Sequence, residues 1–185
     1  MEMTGEQLIP VPQSEVWRGL NDPEVLKACI VGCESIEKVS DNEYKVVIVA
    51  SVGPVKAKFN GKLLLSDLNP PNSYSLSFEG SGGAAGFGKG GAQVSLKSEG
   101  AGTRLSYSAK ASVGGKLAQV GSRLIDGVAK KMADDFFAAF NDKLAGKADD
   151  VTVPVGAKKR IHPAWWVAGA VLVVLLIYLA FQPAH

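Results

Sequence analysis

Histidine is almost absent from this chain of 185 residues. The only two histidines are His162 and His185, so the first 161 residues contain none. General acid–base catalysis uses histidine most often, because its side chain titrates near neutral pH. The absence argues against acid–base chemistry in the N-terminal part, and we expect a protein without catalytic residues rather than an enzyme.

Cysteine is scarce as well, with Cys29 and Cys33 as the only two. A zinc site needs about four Cys, His or carboxylate ligands, and both histidines lie far along the chain, so we expect no metal site. The N-terminal sequence MEMTGEQLIP lacks the basic-then-apolar pattern of a secretory signal. Because disulfides form mainly in secreted proteins, we expect two unpaired thiols.

Charge of one sign is also lacking over most of the chain. Residues 1–146 contain sixteen Lys plus Arg and sixteen Asp plus Glu, and the net charge of +2 comes from the residues after them. Nucleic-acid binding requires a basic surface. A domain with balanced charge is therefore not expected to bind nucleic acid.

Glycine is abundant in the run GSGGAAGFGKGG at residues 80–91. Gly83, Gly88 and Lys89 match G-x-x-x-x-G-K, and Gly86, Gly88 and Gly91 match G-x-G-x-x-G, two patterns that cradle phosphates when a helix follows. Here Gly90 replaces the Ser or Thr that would ligate magnesium. Residues 74–79 and 92–97 both alternate between apolar and polar, which is typical of strands. The run is therefore predicted to be the loop of a β-hairpin.

Period-two alternation predicts an antiparallel sheet. An opening strand at Met3–Ile9 and two short helices, the first capped by Ser14 and the second at Pro23–Ala28, are predicted to precede five or six strands. From Gly115 to Leu144 the period changes to three and four, which predicts one long helix with these inward residues: Leu117, Val120, Leu124, Val128, Met132, Phe136 and Phe140. One helix covering one apolar sheet face predicts an α+β helix-grip fold, a curved sheet around the long helix.

The C-terminal segment has a different composition. Ala164–Phe181 contains eighteen residues without charge, enough to span about 27 Å as a helix. Trp165 and Trp166 stand at one end and Tyr178 at the other, as in membrane-interface belts. We expect a transmembrane anchor over residues 161–182, a flexible linker over 146–160 and a domain over 1–145. The basic triplet Lys158–Arg160 predicts that this domain is cytoplasmic, at the bacterial inner membrane.

Three stretches carry a family resemblance: Met3–Glu34, Gly53–Leu76 and Gly114–Phe140. The segment GGKLAQVGSRLID within the last of them is the most specific. These stretches resemble the CoxG family of carbon monoxide dehydrogenase accessory proteins, which belongs to the START/Bet v 1-like (SRPBCC) superfamily. The resemblance covers essentially the whole N-terminal domain.

The resemblance implies an accessory role for a molybdenum-containing carbon monoxide dehydrogenase or a related hydroxylase, which such proteins recruit to the membrane. It also implies an apolar cavity that holds a hydrophobic ligand. A respiratory quinone, menaquinone or ubiquinone, is the expected guest, bound without a covalent link. Two alternatives stay open: a membrane tether or assembly factor without a ligand, and a cyclase-like enzyme.

The candidate cavity wall follows from the inward positions of the predicted strands and helix. Either Tyr74 or Tyr107 is expected to donate a hydrogen bond to a quinone carbonyl. Phe87, the one large apolar residue of the glycine loop, is expected to contact the ligand, the membrane or the partner enzyme. The alternatives are that the wall residues form a packed core and that Phe87 folds onto the sheet. The candidates are Phe59, Leu63, Tyr74, Leu76, Phe78, Phe87, Leu105, Tyr107, Leu124, Val128, Met132 and Phe136.

Overall fold

A computed structural model describes residues 1–148 of the chain. The expected linker beyond residue 148 and the expected anchor at 161–182 lie outside the described residues. Among the helices of residues 1–148, none is long and apolar enough to cross a membrane. The elements follow one another as β1 (Glu2–Ile9), α1 (Gln13–Leu20), α2 (Pro23–Cys29), β2 (Cys33–Ser40), β3 (Glu43–Val52), β4 (Val55–Asn69), β5 (Ser73–Ser81), β6 (Phe87–Glu99), β7 (Gly102–Gly114) and α3 (Ser122–Ala148).

The seven strands form one antiparallel sheet in the order β1-β7-β6-β5-β4-β3-β2. Alternation along the strands places one set of side chains against the helices and the other set in solvent. In β4, for example, Phe59 and Leu63 are buried, whereas Lys58 and Lys62 are exposed. The α+β helix-grip architecture predicted from the sequence is confirmed.

The long helix α3 covers the apolar face of the sheet together with α2 and α1. Gly19 of α1 lies so close to α3 that an added Cβ would come within 3.0 Å of Leu144 and 3.1 Å of Phe140. The helix α2 begins as predicted, with Pro23 in its first turn and the Asp22 carboxylate accepting a hydrogen bond from the Glu24 amide (2.9 Å). Ser14, in contrast, lies within α1 and does not cap it, because that helix begins one residue earlier, after Pro12.

One end of the grip is closed by side-chain hydrogen bonds from α1, and we call it the α1 end. The Gln13 amide nitrogen donates to the carbonyl oxygens of Pro71 (3.0 Å) and Leu96 (3.1 Å), and its carbonyl oxygen accepts from the Ser98 hydroxyl (2.8 Å). The buried Thr103 hydroxyl donates to the Val11 carbonyl (2.8 Å). These bonds fix the start of α1 to the β4–β5 and β6–β7 turns.

The predicted inward face of the long helix is partly wrong. The α-helix begins at Ser122, and residues 115–121 form a turn with a short 3₁₀ segment at Ala118–Val120. Residues four apart in an α-helix are offset by about 40° around its axis, because each residue advances about 100°. Leu124 is three such steps from the fully buried Phe136, so it lies on the exposed edge, with 41% of its surface accessible. Ile125 occupies the inward position instead.

Three glycines on the strands make room for aromatic rings on the residues directly opposite them. The register pairs Gly5 with Tyr107, Gly90 with Phe78, and Gly114 with Phe87. A Cβ added to Gly90 would lie 2.5 Å from the Phe78 ring, and one added to Gly114 would lie 2.2 Å from the Phe87 ring. The glycines therefore allow each ring to lie flat over its partner strand.

Replacing Gly90 with alanine is expected to lower the free energy of unfolding by about 1–3 kcal/mol, because the new methyl group overpacks the contact with Phe78 and the Lys110 carbonyl. The matched control is Gly127→Ala on the exposed surface of α3, where an added Cβ meets nothing within 4 Å. That change is expected to raise the free energy of unfolding by about 0.5–1 kcal/mol. Urea unfolding of both variants measures the difference, and equal effects would contradict the assigned role of Gly90.

Candidate ligand-binding site

The predicted wall residues lie mostly between the sheet and α3. Nine of the twelve are buried, and each of these exposes at most 8% of its surface. A side chain that lined an open cavity would leave part of its surface accessible to water. The low values therefore mean that these side chains contact one another and fill the interior. The nine are Phe59, Leu63, Tyr74, Leu76, Phe78, Leu105, Tyr107, Met132 and Phe136.

Aromatic rings make up the centre of this interior. Phe136 packs edge-to-face on Phe137 (centroids 5.1 Å apart) and stacks on Phe140 (5.5 Å), and Tyr107 stacks on Phe137 (6.3 Å). Planar rings of this kind offer flat apolar surfaces and weakly polar edges, which suit a planar ring system as a guest. The arrangement brings β7 and the middle of α3 together around one aromatic cluster.

Several interior residues were not among the sequence candidates. Phe137, Ile125, Ala129 and Ala133 are all buried on α3. They follow an i, i+4, i+8 and i+12 row that starts at Ile125, one residue after the row that starts at Leu124. The correct helix start at Ser122, after the left-handed Gly121 (φ 92°), is the signal that would have separated the two rows.

The two candidate tyrosines occupy different depths. Tyr74 begins β5 next to the β4–β5 turn, and its ring meets Trp17 of α1 edge-to-face at 5.6 Å. Burial, together with the nearby Tyr44, raises the pKa of Tyr74 above its ordinary value, so the hydroxyl keeps its proton. Tyr107 lies in the middle of β7, and its hydroxyl is directly over Gly5 of the edge strand β1. Tyr74 thus belongs to the α1 end and Tyr107 to the central interior.

The end of the grip opposite α1 is formed by three chain connections, and we call it the mouth. They are the β3–β4 turn, the tip of the glycine hairpin between β5 and β6, and the segment between β7 and α3. The Leu117 amide donates to the Ala85 carbonyl (3.3 Å), and Leu124 leans over Gly53. Half-buried apolar side chains line this end where the core reaches the surface: Val55, Ala57, Ala85, Val113, Val120 and Val128.

Leu117 fills the mouth. Its side chain is fully buried, and it stands between Gly115 (φ 74°) and Gly121 (φ 92°), two positions where the backbone adopts left-handed angles that suit glycine. Val128, a predicted wall residue, is half-buried on α3. The entrance to the interior is therefore bordered by a short segment with a glycine at each end.

The glycine run is a hairpin, as predicted. Its first glycine ends β5, a 3₁₀ turn occupies Gly83–Ala85, and β6 begins at Phe87. A strand rather than a helix follows the glycines, so the phosphate-binding arrangement is not formed. Phe87 alternates with Gly88 and therefore does not share the strand parity of the inward residues Ala92 and Val94. It is half-buried, packs against the edge of the core and covers Gly114.

Three depressions lie on the outer face of the sheet, away from α3. Their volumes are about 770, 600 and 450 Å³. Exposed lysines, glutamates and serines such as Lys62, Glu79 and Ser77 line the first two, and serines line much of the third. Their polar lining does not suit an apolar guest, so the interior and its mouth remain the candidate site.

The thiols are poorly suited to nucleophilic catalysis. Burial raises the pKa of Cys29 to about 11, and burial also raises the pKa of the half-buried Cys33. The Cys33 thiol donates to the Ser35 carbonyl at 3.5 Å. Both groups therefore stay protonated at neutral pH.

Comparisons with known proteins identify the family. The family profile of the carbon monoxide dehydrogenase protein CoxG matches residues 5–145. A conserved protein from Geobacillus kaustophilus shares 33% identity, with a TM-score of 0.75 over 80% of this chain and 97% of that one. Among curated proteins no match was found.

More distant structures share the fold alone. The Zhui aromatase/cyclase from Streptomyces sp. R1128 has 11% identity and a TM-score of 0.61 over 80% of this chain and 95% of its own. Ara h 8.0201 has 17% identity and a TM-score of 0.57 over 79% and 98%. These neighbours have the Bet v 1-like (SRPBCC) fold. With a family profile that spans most of the described domain, the chain belongs to the carbon monoxide dehydrogenase CoxG family.

Proposed function

We propose that this protein is a membrane-anchored accessory protein that binds a respiratory quinone and links a molybdenum carbon monoxide dehydrogenase, or a related hydroxylase, to the respiratory chain. The family assignment supports the accessory role. The C-terminal segment supports the anchor, because its eighteen uncharged residues are long enough to span a bilayer. A quinone dissolves in the membrane and hardly at all in water, so a soluble dehydrogenase needs a protein that presents one.

The observation that carries the ligand proposal is the apolar interior with an apolar mouth. Aromatic rings from α3 and β7 fill it, and half-buried valines and alanines continue it to the surface between the three connections. Entry of a ligand requires Leu117 and neighbouring side chains to move, because the interior is filled without one. Binding is therefore expected to select a more open state of the β7–α3 segment and α3.

A second candidate function is favoured by the same tight packing. If the interior is a permanent core, the domain acts as a tether or assembly factor that brings the dehydrogenase to the membrane without a ligand. The family assignment supports both functions equally. They differ in whether apolar molecules enter between the sheet and α3.

The first prediction separates these functions. The domain of residues 1–148, produced in its native membrane background and purified without detergent, is expected to carry quinone at close to one molecule per chain. The Geobacillus kaustophilus relative, nearly all of which aligns with this domain, shows that such a domain forms an ordered structure without a further segment. Solvent extraction and mass spectrometry identify the guest. An empty extract, with no uptake of added menaquinone or ubiquinone, would favour the tether.

A second prediction concerns the hydrogen bond that orients the guest. Tyr107 lies nearer the centre of the interior than Tyr74, so Tyr107→Phe is expected to weaken quinone binding about twofold to tenfold, the usual net worth of one hydrogen bond. The matched control is Tyr44→Phe, because the Tyr44 hydroxyl donates to the Asn21 carbonyl (3.4 Å) at the α1 end. Equal affinities for the two variants in a fluorescence titration would remove Tyr107 from this role.

A third prediction tests the cyclase-like alternative through the thiols. At pH 8 a maleimide is expected to modify Cys33 slowly and Cys29 hardly at all, because Cys29 is buried and its pKa is raised to about 11. Unfolding in urea should expose both thiols and give two labels per chain. Rapid labelling of Cys29 in the folded protein would indicate an activated nucleophile and would reopen the enzymatic alternative.

A further inference from the structure

Charge is segregated between the two ends of the domain, although the domain is neutral as a whole. The mouth connections span residues 51–57, 82–88 and 114–124, and they contain Lys56, Lys116 and Arg123 but no aspartate or glutamate. The turns at the α1 end span residues 21–24, 41–43, 67–73 and 99–102. These contain six acidic residues and no basic one: Asp22, Glu24, Asp41, Glu43, Asp67 and Glu99.

The basic residues of the mouth are available for a partner. Lys56, Lys116 and Arg123 are all exposed, and within residues 1–148 none of them has an ion-pair partner. At the α1 end, three of the six acids are already paired: Glu99 with Arg104, Asp41 with Lys38 and Glu43 with Lys62. The uncompensated positive charge therefore lies at the mouth.

An apolar surface accompanies this charge. Leu124, which the sequence pattern assigned to the interior, exposes 41% of its surface at the rim and leans over Gly53. The N-terminus of α3, at Ser122, lies at the same place and adds partial positive charge from its free amide groups. Basic side chains around an exposed apolar one are the composition of surfaces that bind anionic lipid bilayers.

We propose that the mouth end of this domain, the surface formed by Lys56, Lys116, Arg123 and Leu124, docks on the anionic surface of a lipid bilayer. The charge asymmetry orients the domain with its α1 end away from the bilayer, because the acidic turns are repelled. An acidic protein surface would satisfy the lysines but would not explain an apolar entrance at the same place. The use of this contact, direct passage of an apolar guest between bilayer and interior, rests on the proposed function; the contact itself does not.

Hydrogen exchange of the full chain reconstituted in vesicles tests the docking. We expect slower exchange at residues 51–57 and 114–124 in vesicles of phosphatidylcholine mixed with phosphatidylglycerol than in phosphatidylcholine alone. High salt should abolish the difference, because it screens exposed charges. Each basic residue near an anionic surface changes the binding constant about fivefold, so the combined change Lys56→Glu, Lys116→Glu and Arg123→Glu should lower the docked-to-undocked ratio by more than about a hundredfold.

The control variant carries Lys27→Glu, Lys97→Glu and Lys143→Glu, which change the net charge equally at exposed positions away from the mouth. It should keep the exchange protection. Loss of protection in both variants, or no dependence on phosphatidylglycerol, would overturn the proposal. Protection that appears only when the partner dehydrogenase is added would overturn it in favour of a protein contact. Quinone content, measured on the same samples, separates a failure of the ligand proposal from a failure of docking.

Discussion

Burial of one apolar sheet face against a single long helix is the interaction on which the rest of this structure depends. Seven antiparallel strands present alternating apolar residues on one side, and α3 with α1 and α2 covers them. Because one straight helix covers a broad sheet, the sheet must curve around it, and large aromatic side chains must fill the space between. Phe136, Phe137 and Phe140 on α3 and Tyr107 on β7 do so. The candidate site is a consequence of this arrangement rather than an addition to it.

The two ends of the grip differ in chemistry, and the proposed function uses the difference. Polar side chains such as Gln13 and Thr103 close the α1 end with hydrogen bonds to the chain turns. At the mouth, a backbone hydrogen bond from Leu117 to Ala85 joins the β7–α3 segment to the hairpin. Glycines in left-handed conformations stand on either side of Leu117. Segments with few stabilising contacts open at lower free-energy cost than core elements, so the mouth is the place where an apolar guest would enter.

Much of the fold could be predicted from the sequence because strand alternation needs only a period of two. The strands around Phe59 and Tyr107 were predicted with the correct inward residues, and the glycine run was predicted as a hairpin. The helix was harder: a row spaced by four drifts around the axis, and the start of α3 was not evident, so Leu124 was placed inside. The role of Gly90 and Gly114 depends on which residue stands opposite each of them. Strand register is a tertiary property, which local patterns do not specify. Whether the interior opens is likewise a matter of packing.

The central claim is that an apolar molecule binds between the sheet and α3, and a structure of the domain with a quinone tests it most directly. The domain would be crystallised with a short-chain ubiquinone or menaquinone analogue. Our account predicts the quinone ring beside Tyr107 and Phe137, with Leu117 displaced from the mouth and the α1 end unchanged. A quinone bound only on the outer face of the sheet, or an interior as closed as in its absence, would contradict it.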